Sequence, residues 1–454
     1  MEILSSVFGK VNSFVWGPWM LIFLVGTGVF LSLRLKFLQF SQLGIAFKYV
    51  LLKRKGKNEK GDISHFGALM TALAATIGTG NIVGVATAVI LGGPGAVFWM
   101  WITAIFGMAT KYGEAVLAVK YRVTDKRGEM AGGPMYFIER GLNMKWLAIL
   151  FAIFGVVASF GIGNMSQSNS VANNVFAAFG LNQWVTGIAL MVLTAVVVLG
   201  GVRSIAGASS VIVPFMALLY VAVGLVIIIA NISLVPAAFG TIFASAFTLQ
   251  AGFGGLVGTT IRYGVARGVF SNEAGLGSAP IAAAAAYTDH PCRQALVSMT
   301  GTFLDTIVVC SVNGIILVMA GLYVGASGDQ AAALTSQSFS KFIPQGSTIV
   351  AISLIFFAYS TILGWSYYGE RCLYYLTESK AASFIYRVVF SVFVLVGAKV
   401  KLGLVWDISD TFNGAMAIPN LIGLVLLSGV IVEQTRDFKT RFLDPESQAA
   451  KKKQ

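Results

Sequence analysis

Charge is scarce in this chain. Of its 454 residues 11% are Asp, Glu, Lys or Arg, where soluble domains carry about a quarter. With 56% hydrophobic residues and a mean hydropathy of +0.79, that shortage excludes a water-soluble domain and predicts a multi-pass protein of the cell membrane. Histidine is scarcer still: His65 and His290 stand far apart, with no metal-ligand spacing and no nucleophile–base pattern around them, which argues against a membrane enzyme. Three cysteines, Cys292, Cys310 and Cys372, are too few for a disulfide framework. No G-x-x-x-x-G-K-[ST] loop is present to cradle ATP, and no organic cofactor is expected. The first apolar segment, residues 14–33, lacks an A-x-A cleavage pattern and is too long for a signal-peptide core, so it reads as a retained helix.

The charge that is there is mostly basic, 32 Lys and Arg against 19 Asp and Glu. These cations gather in short loops between apolar runs, as the positive-inside rule expects, so the partner they imply is a lipid bilayer and not nucleic acid. Runs of about 20 residues, enough to span, fall at 14–33, 64–90, 94–120, 146–179, 183–202, 207–231, 254–288, 293–324, 346–376, 382–400 and 404–433. That is an all-α polytopic protein of about eleven transmembrane helices. Putting the most basic loops in the cytoplasm leaves only Lys10, Lys341, Lys399 and Lys401 in outer loops, so the N-terminus is expected outside and the C-terminus inside. Residues 37–57 read as an amphipathic surface helix with a basic end, and 132–141 and 335–344 as short loop helices.

Leaving out the first helix, ten remain, and two of them are interrupted. "IGTGN" breaks 64–90, and "VFSNEAGLGSAP" breaks 254–288, each the first helix of a set of five. Five being odd, the two sets run in opposite directions through the membrane. Interrupted segments at matching positions of inverted halves point to a transporter's central site. The expected division is therefore residues 1–36 as an extra N-terminal helix and 37–63 as a surface helix and linker. Residues 64–234 and 254–435 form the two repeats, and 436–454 a cytoplasmic tail. At about 1.5 Å per residue, 64–90 can lose a turn and still cross a core of about 30 Å. Freed N–H groups at half-helix N-termini suit a carboxylate; freed carbonyls suit an ammonium or a sodium ion. The alternative is that the glycines serve only close helix packing.

"TALAATIGTGNIVGVATAVILGGPGAVFWMW", "AGGPMYFIER", "GVFSNEAGLGSAP" and "WDISDTFNGAMAIPNLIGL" resemble the alanine-or-glycine:cation symporter family, over residues 60 to 435. The resemblance implies the amino acid–polyamine–organocation superfamily and the LeuT-like five-plus-five inverted repeat of the neurotransmitter:sodium symporters. It implies a small amino acid, alanine or glycine, moved by a monomer with Na⁺ or less often H⁺.

With that resemblance, the substrate carboxylate is expected at the N–H groups of Thr79, Gly80 and Asn81, and the amino group at carbonyls near Phe270 and Ser271. Asn272, Gly275 and Gly277 complete the second break, the glycines letting backbone approach the ligand. Gln167, with Asn164 one turn away, is expected to face the centre, although either amide could instead join helices. Ser360 and Thr361 resemble the sodium-binding pair of the neurotransmitter:sodium symporters, with carbonyls of Ala74, Ile77 and Phe357 as further ligands. Hard oxygens suit that cation; the alternative is back-bonding within the helix. Trp365, one turn on, would keep the pocket small, or else only pack. Glu273 and Asp305 are intramembrane acids that need a partner or a coupling or gating task. Arg262, Arg267, Asp407 and Asp410 could close an outer gate. A channel for a small neutral solute is the competing class, but it needs a continuously lined pore.

Overall fold

The computed structural model describes residues 2–51, 60–247, 256–400 and 403–443. Among the described residues seven helices are long and apolar enough to span a membrane: Ser6–Arg34, Gly95–Lys120, Lys145–Phe179, Gly201–Ala230, Pro291–Ala320, Gly346–Thr377 and Lys380–Lys399. Two bent pairs, His65–Thr76 with Gly80–Gly92 and Val405–Leu426 with Ser428–Leu443, bring the number to nine. The remaining two expected spans are irregular. Gln183–Val198 is short, and the run from 256 on is split into Leu256–Asn272 and Ala279–Ala284. The residues 248–255, which open that run, lie outside the described residues, as does most of the basic stretch after Leu51.

Several details depart from the reading of the sequence. The first span is kinked, because Pro18 opens a new helix after Gly17 and leaves Glu2–Val15 as a separate segment. The last span bends by 59° at Leu427 and continues as Ser428–Phe438. An apolar helix, Val235–Ala246, fills the connection after residue 234. The loop helices Pro134–Leu142 and Ala331–Phe342 are where the sequence put them.

Helix His65–Thr76 begins at Ser64, whose Oγ accepts from the Gly67 N–H, and is apolar on all sides because it is buried on all sides. Its neighbours approach at backbone distance: a Cβ on Gly364 would lie 2.6 Å from the Ala75 nitrogen, so glycine lets helix Gly346–Thr377 pass this close.

One face of the bundle is sealed by charge. A hairpin of Val123–Thr124 against Met130–Ala131 carries Asp125 and Glu129 to Arg371, whose guanidinium donates to Asp125 Oδ2 at 2.9 Å and Glu129 Oε2 at 2.6 Å. Glu370 accepts from Arg127 at 2.8 Å and Arg387 at 2.9 Å. Beneath them Arg122 donates to the carbonyls of Ala284 and Ala286, and Ile63 pairs with the chain at Ala285–Tyr287. The segments flanking both broken helices are thus tied together at this basic face. Burial alone would raise the Asp125 pKa, but N–H groups of Glu129 and Arg127 and the guanidinium groups of Arg371 and Arg127 hold it below the usual carboxylate value. Its contribution is therefore kept above the ordinary carboxylate range and is lost only as pH falls through the lowered value. Arg371→Leu leaves buried Asp125 with Arg127 and two N–H groups but without its second guanidinium, and should cost about 1.5–3 kcal/mol. We expect a lower melting temperature and faster alkylation of buried Cys372, and unchanged values of both would contradict the seal.

Candidate functional site

The first break is built by Asn81. Ile77 leaves helical geometry at ψ 93°, and the Gly78 N–H donates to Asn81 Oδ1 at 2.9 Å instead of to the Ala74 carbonyl one turn back. The chain resumes as a π-turn, Gly80–Gly84, bent 54° from the first half. Carbonyls freed there are met from outside: Asn313 Nδ2 donates to Asn81 O at 2.8 Å and Ile82 O at 3.1 Å, and Thr335 Oγ1 donates to Ile82 O. Unpaired backbone in hydrocarbon costs several kcal/mol per group, so these side chains are what permits the break.

The second break runs from Glu273 to Ser278. Glu273, Gly275 and Gly277 all take positive φ (56°, 92° and 84°), which glycine adopts freely and glutamate does not. Pro280 then starts the half-helix Ala279–Ala284. The N–H groups of Gly275 and Gly277 both donate to Glu114 Oε1, at 3.1 and 3.2 Å, and Asn420 Nδ2 donates to the same oxygen at 2.7 Å. The protein's own carboxylate thus takes the N–H groups of the two glycines that the sequence reading gave to close approach of a ligand. A Cβ on either glycine would strike Leu24 or Pro134, so their close approach is to protein, not to the central space. Asn272 likewise turns inward, donating to Thr306 Oγ1.

Asp305 joins the two breaks. Its Oδ1 accepts from Asn81 Nδ2 at 2.7 Å, and its Oδ2 from Ser271 Oγ at 2.9 Å and Thr306 Oγ1 at 2.7 Å. It stands on a π-helical stretch, Phe303–Cys310, that re-aims side chains within a long helix. A third π-turn, Gly161–Met165, precedes Gln167. Lys111, buried one turn from Glu114, is the cation whose field reaches Glu114, Glu273 and Asp305.

Between these groups lies a polar centre. A Cβ on Gly80 would meet the Phe270 ring at 3.3 Å and Ser271 Cα at 3.5 Å, so the breaks touch. Ser360 Oγ donates to Phe357 O at 2.9 Å and also lies 3.5 Å from Ile77 O, while Thr361 Oγ1 donates to Phe357 O at 3.0 Å. Both hydroxyls back-bond, yet they also face the first break: a Cβ on Gly78 would sit 2.4 Å from Thr361 Oγ1 and 3.6 Å from Gln167 Oε1. Gln167 Oε1 is buried without a hydrogen-bond partner, its Nε2 being spent on Ile162 O. Asn164 points elsewhere, to the Phe390 carbonyl at 2.7 Å. Trp365 donates from Nε1 to Glu273 Oε1 at 3.0 Å, and Ser278 Oγ donates to the other carboxylate oxygen, so Glu273 and Trp365 form one wall.

A cavity of about 340 Å³ reaches this centre from the face opposite the charged seal, lined by Thr79, Gly80, Phe270, Arg267, Asp407 and Asp410 among others. The proposed outer-gate residues Arg267, Asp407 and Asp410 therefore do share one space. Asn12 and Trp16 of the extra N-terminal helix both bond to Asp410, at 3.1 Å each.

Sequence reasoning missed Lys111, Glu114 and Asn420. The first two were visible as charges inside a 25-residue apolar helix, Ala96–Lys120, a signal as strong as Asp305 gave. Asn420 carried no such mark.

Two broken helices meeting under a cavity that opens to one face and is sealed at the other define an integral membrane transporter of the alternating-access kind. Solved structures share the architecture. The transporter MhsT, in complex with L-phenylalanine, matches with a TM-score of 0.55 at 15% identity, covering 83% of this chain and 98% of that one. A manganese transporter of Eremococcus coleocola matches at 0.51 and 12%, covering 81% and 77%. At these identities they show the five-plus-five inverted fold and no more. The chain belongs to the sodium:alanine symporter family, whose model matches residues 1–452. The sodium/alanine symporter AgcS of Methanococcus maripaludis is 61% identical over 96% of this chain and 98% of its own length. The "Probable sodium/glutamine symporter GlnT" of Bacillus subtilis is 39% identical over 96% and 91%.

Trp365 reaches Glu273 only because Gly163 has no side chain: a Cβ there would lie 2.2 Å from Trp365 Cβ. Gly163→Ala should cost about 1–3 kcal/mol through overpacking and displace the indole. We expect reduced transport with a red-shifted tryptophan emission, and wild-type values of both would show the contact to be soft.

Proposed function

We propose that the protein moves a small neutral amino acid, alanine or glycine, into the cell together with Na⁺, working as a monomer. The observation that carries this reading is the convergence of oxygens at the first break. The Ser360 and Thr361 hydroxyls with the Ile77 and Phe357 carbonyls bring together oxygens of the kind a hard cation prefers, and we assign the Ala74 carbonyl to the same set. The unpartnered Gln167 Oε1 beside Gly78 is an acceptor for an ammonium group. The turn at Thr79 and Gly80 opens the second half-helix at the cavity, where a positive dipole end suits a carboxylate, while the Asn81 N–H is already given to the Gly78 carbonyl at 3.2 Å. Phe270 and Ser271 stand opposite it, close enough to limit what enters. The name of the family and that of the relative AgcS support sodium and alanine, whereas GlnT is named for glutamine. We assign Gly275, Gly277, Asn272 and Asn164 to the scaffold around the ligand, a reading supported by their bonds to Glu114, Thr306 and the Phe390 carbonyl.

The two repeats are read as residues 64–234 and 254–435, and the basic face as cytoplasmic, which puts the N-terminus outside. The cavity then faces out, and alternating access requires the ion-paired seal to open in turn. One sodium charge through 100 mV is worth about 2.3 kcal/mol, or roughly 40-fold accumulation of a zwitterion.

Uptake of radiolabelled alanine into proteoliposomes tests the reading. Accumulation should require an inward Na⁺ gradient, and accumulation on a proton gradient alone would move coupling to Glu273 in place of the hydroxyl pair. Thr361→Ala should raise the sodium concentration for half-maximal uptake by about tenfold or more, one charge-assisted contact being worth about 1.5–3 kcal/mol. An unaltered sodium dependence in that variant would remove Thr361 from the cation site. Trp365→Ala should admit larger amino acids in competition assays, and unchanged selectivity would leave the indole a packing group.

A further inference from the structure

A second cluster of charge lies far from the transport site, where the extra N-terminal helix and the bent C-terminal helix meet at the basic face. A groove of about 230 Å³ is lined there by Arg34, Lys36, Arg436 and Lys439, with Thr440 at its edge and Leu35 and Val432 in its floor. It holds four cations and no carboxylate. Glu433 and Asp437 line an adjoining cavity with His290, and that cavity shares Arg436 and Thr440 with the groove. Like charges this close repel, and among the described residues lining the groove no carboxylate offsets them, so a surface of this kind suits an anion.

The groove is held in shape. Arg34 donates to Ser428 Oγ at 2.5 Å and lies 5.6 Å from the Phe30 ring, which fixes it between the two helices. Lys36 and Phe37 are consecutive non-glycine residues with positive φ (55° and 52°), a costly conformation that turns the chain at the end of helix Pro18–Arg34 and brings Lys36 to the rim. Opposite them, helix Ser428–Phe438 buries Ile431, Thr435 and Phe438 and leaves Arg436 exposed, so its cationic edge follows from its amphipathic register. Close in sequence to Arg34 and Lys36, Leu33, Phe37 and Phe40 are exposed at the end of a span.

We infer that this groove binds the phosphate headgroup of an anionic phospholipid, with an acyl chain lying along Phe30, Leu33 and Phe37. A free anion would need only the cations, whereas a lipid explains the cations and the bare apolar strip beside them. Basic pockets between spans at a membrane surface take such headgroups, each cation adding to the attraction. The inference goes beyond the transport reading and does not depend on which solute or ion is carried.

The test is native mass spectrometry of the full chain offered equimolar phosphatidylglycerol and phosphatidylcholine. The wild type should retain one phosphatidylglycerol in preference. Arg436→Gln with Lys439→Gln should weaken that binding roughly 30-fold at low salt, and Lys36→Gln on the facing wall should weaken it alone. The charge-keeping pair Arg436→Lys with Lys439→Arg should retain it, which separates lost charge from lost structure. The glutamine variants should keep the melting temperature in phosphatidylcholine vesicles. No preference in the wild type, or a preference that survives both glutamine variants, overturns the site. Displacement of phosphatidylglycerol by millimolar inorganic phosphate overturns the lipid assignment and leaves an anion site.

Discussion

The carboxylate of Asp305 is the interaction on which the centre of this protein depends. Two helices are interrupted in a medium that offers no water to their backbones, and one side chain holds both interruptions in register by accepting from Asn81 on one side and Ser271 on the other. Asn81 is itself the residue that makes the first break, through Gly78. Removing the carboxylate would therefore release the element that shapes the turn and the element that faces it together. This is why an acid is tolerated at a depth where its charge is costly.

The same logic explains the chemistry around it. The second break could have left its N–H groups for a ligand, but Glu114 Oε1 takes two of them and accepts from Asn420 as well. Lys111 stands among Glu114, Glu273 and Asp305 as the one buried cation whose field reaches all three. The second break thereby gives these N–H groups to the protein itself, and the first is the one that keeps oxygens and an amide acceptor turned toward the centre. The two halves of an inverted repeat need not share the work equally, and in this chain they do not.

Access is divided in the same unequal way. Ion pairs and backbone bridges close the basic face, where Arg371 and Glu370 each hold two partners. The opposite face keeps a cavity down to Thr79 and Gly80, with Arg267 and Asp410 at its walls. The extra N-terminal helix is part of that entrance, since Asn12 and Trp16 fasten Asp410. At its other end the same helix lends Arg34 and Lys36 to the cationic groove. A segment outside the repeat thus reaches both faces of the membrane protein.

Much of this was legible in residues alone. Low charge and long apolar runs determine a polytopic membrane protein because nothing else buries so much apolar surface. The glycine-rich interruptions determine where two helices break, because those residues weaken a helix locally whatever surrounds it. What the sequence could not decide is what fills each break. Gly275 and Gly277 read as room for a ligand until the tertiary structure put Glu114, 161 residues away from Gly275 in sequence, against them. Gln167 and Asn164 sit three residues apart on one helix, yet packing aims one at the first break and the other at Phe390. Periodicity places a side chain on a face, but its hydrogen-bond partner comes from another part of the chain. Only the fold brings that partner within 3 Å, a distance about as short as hydrogen bonds require.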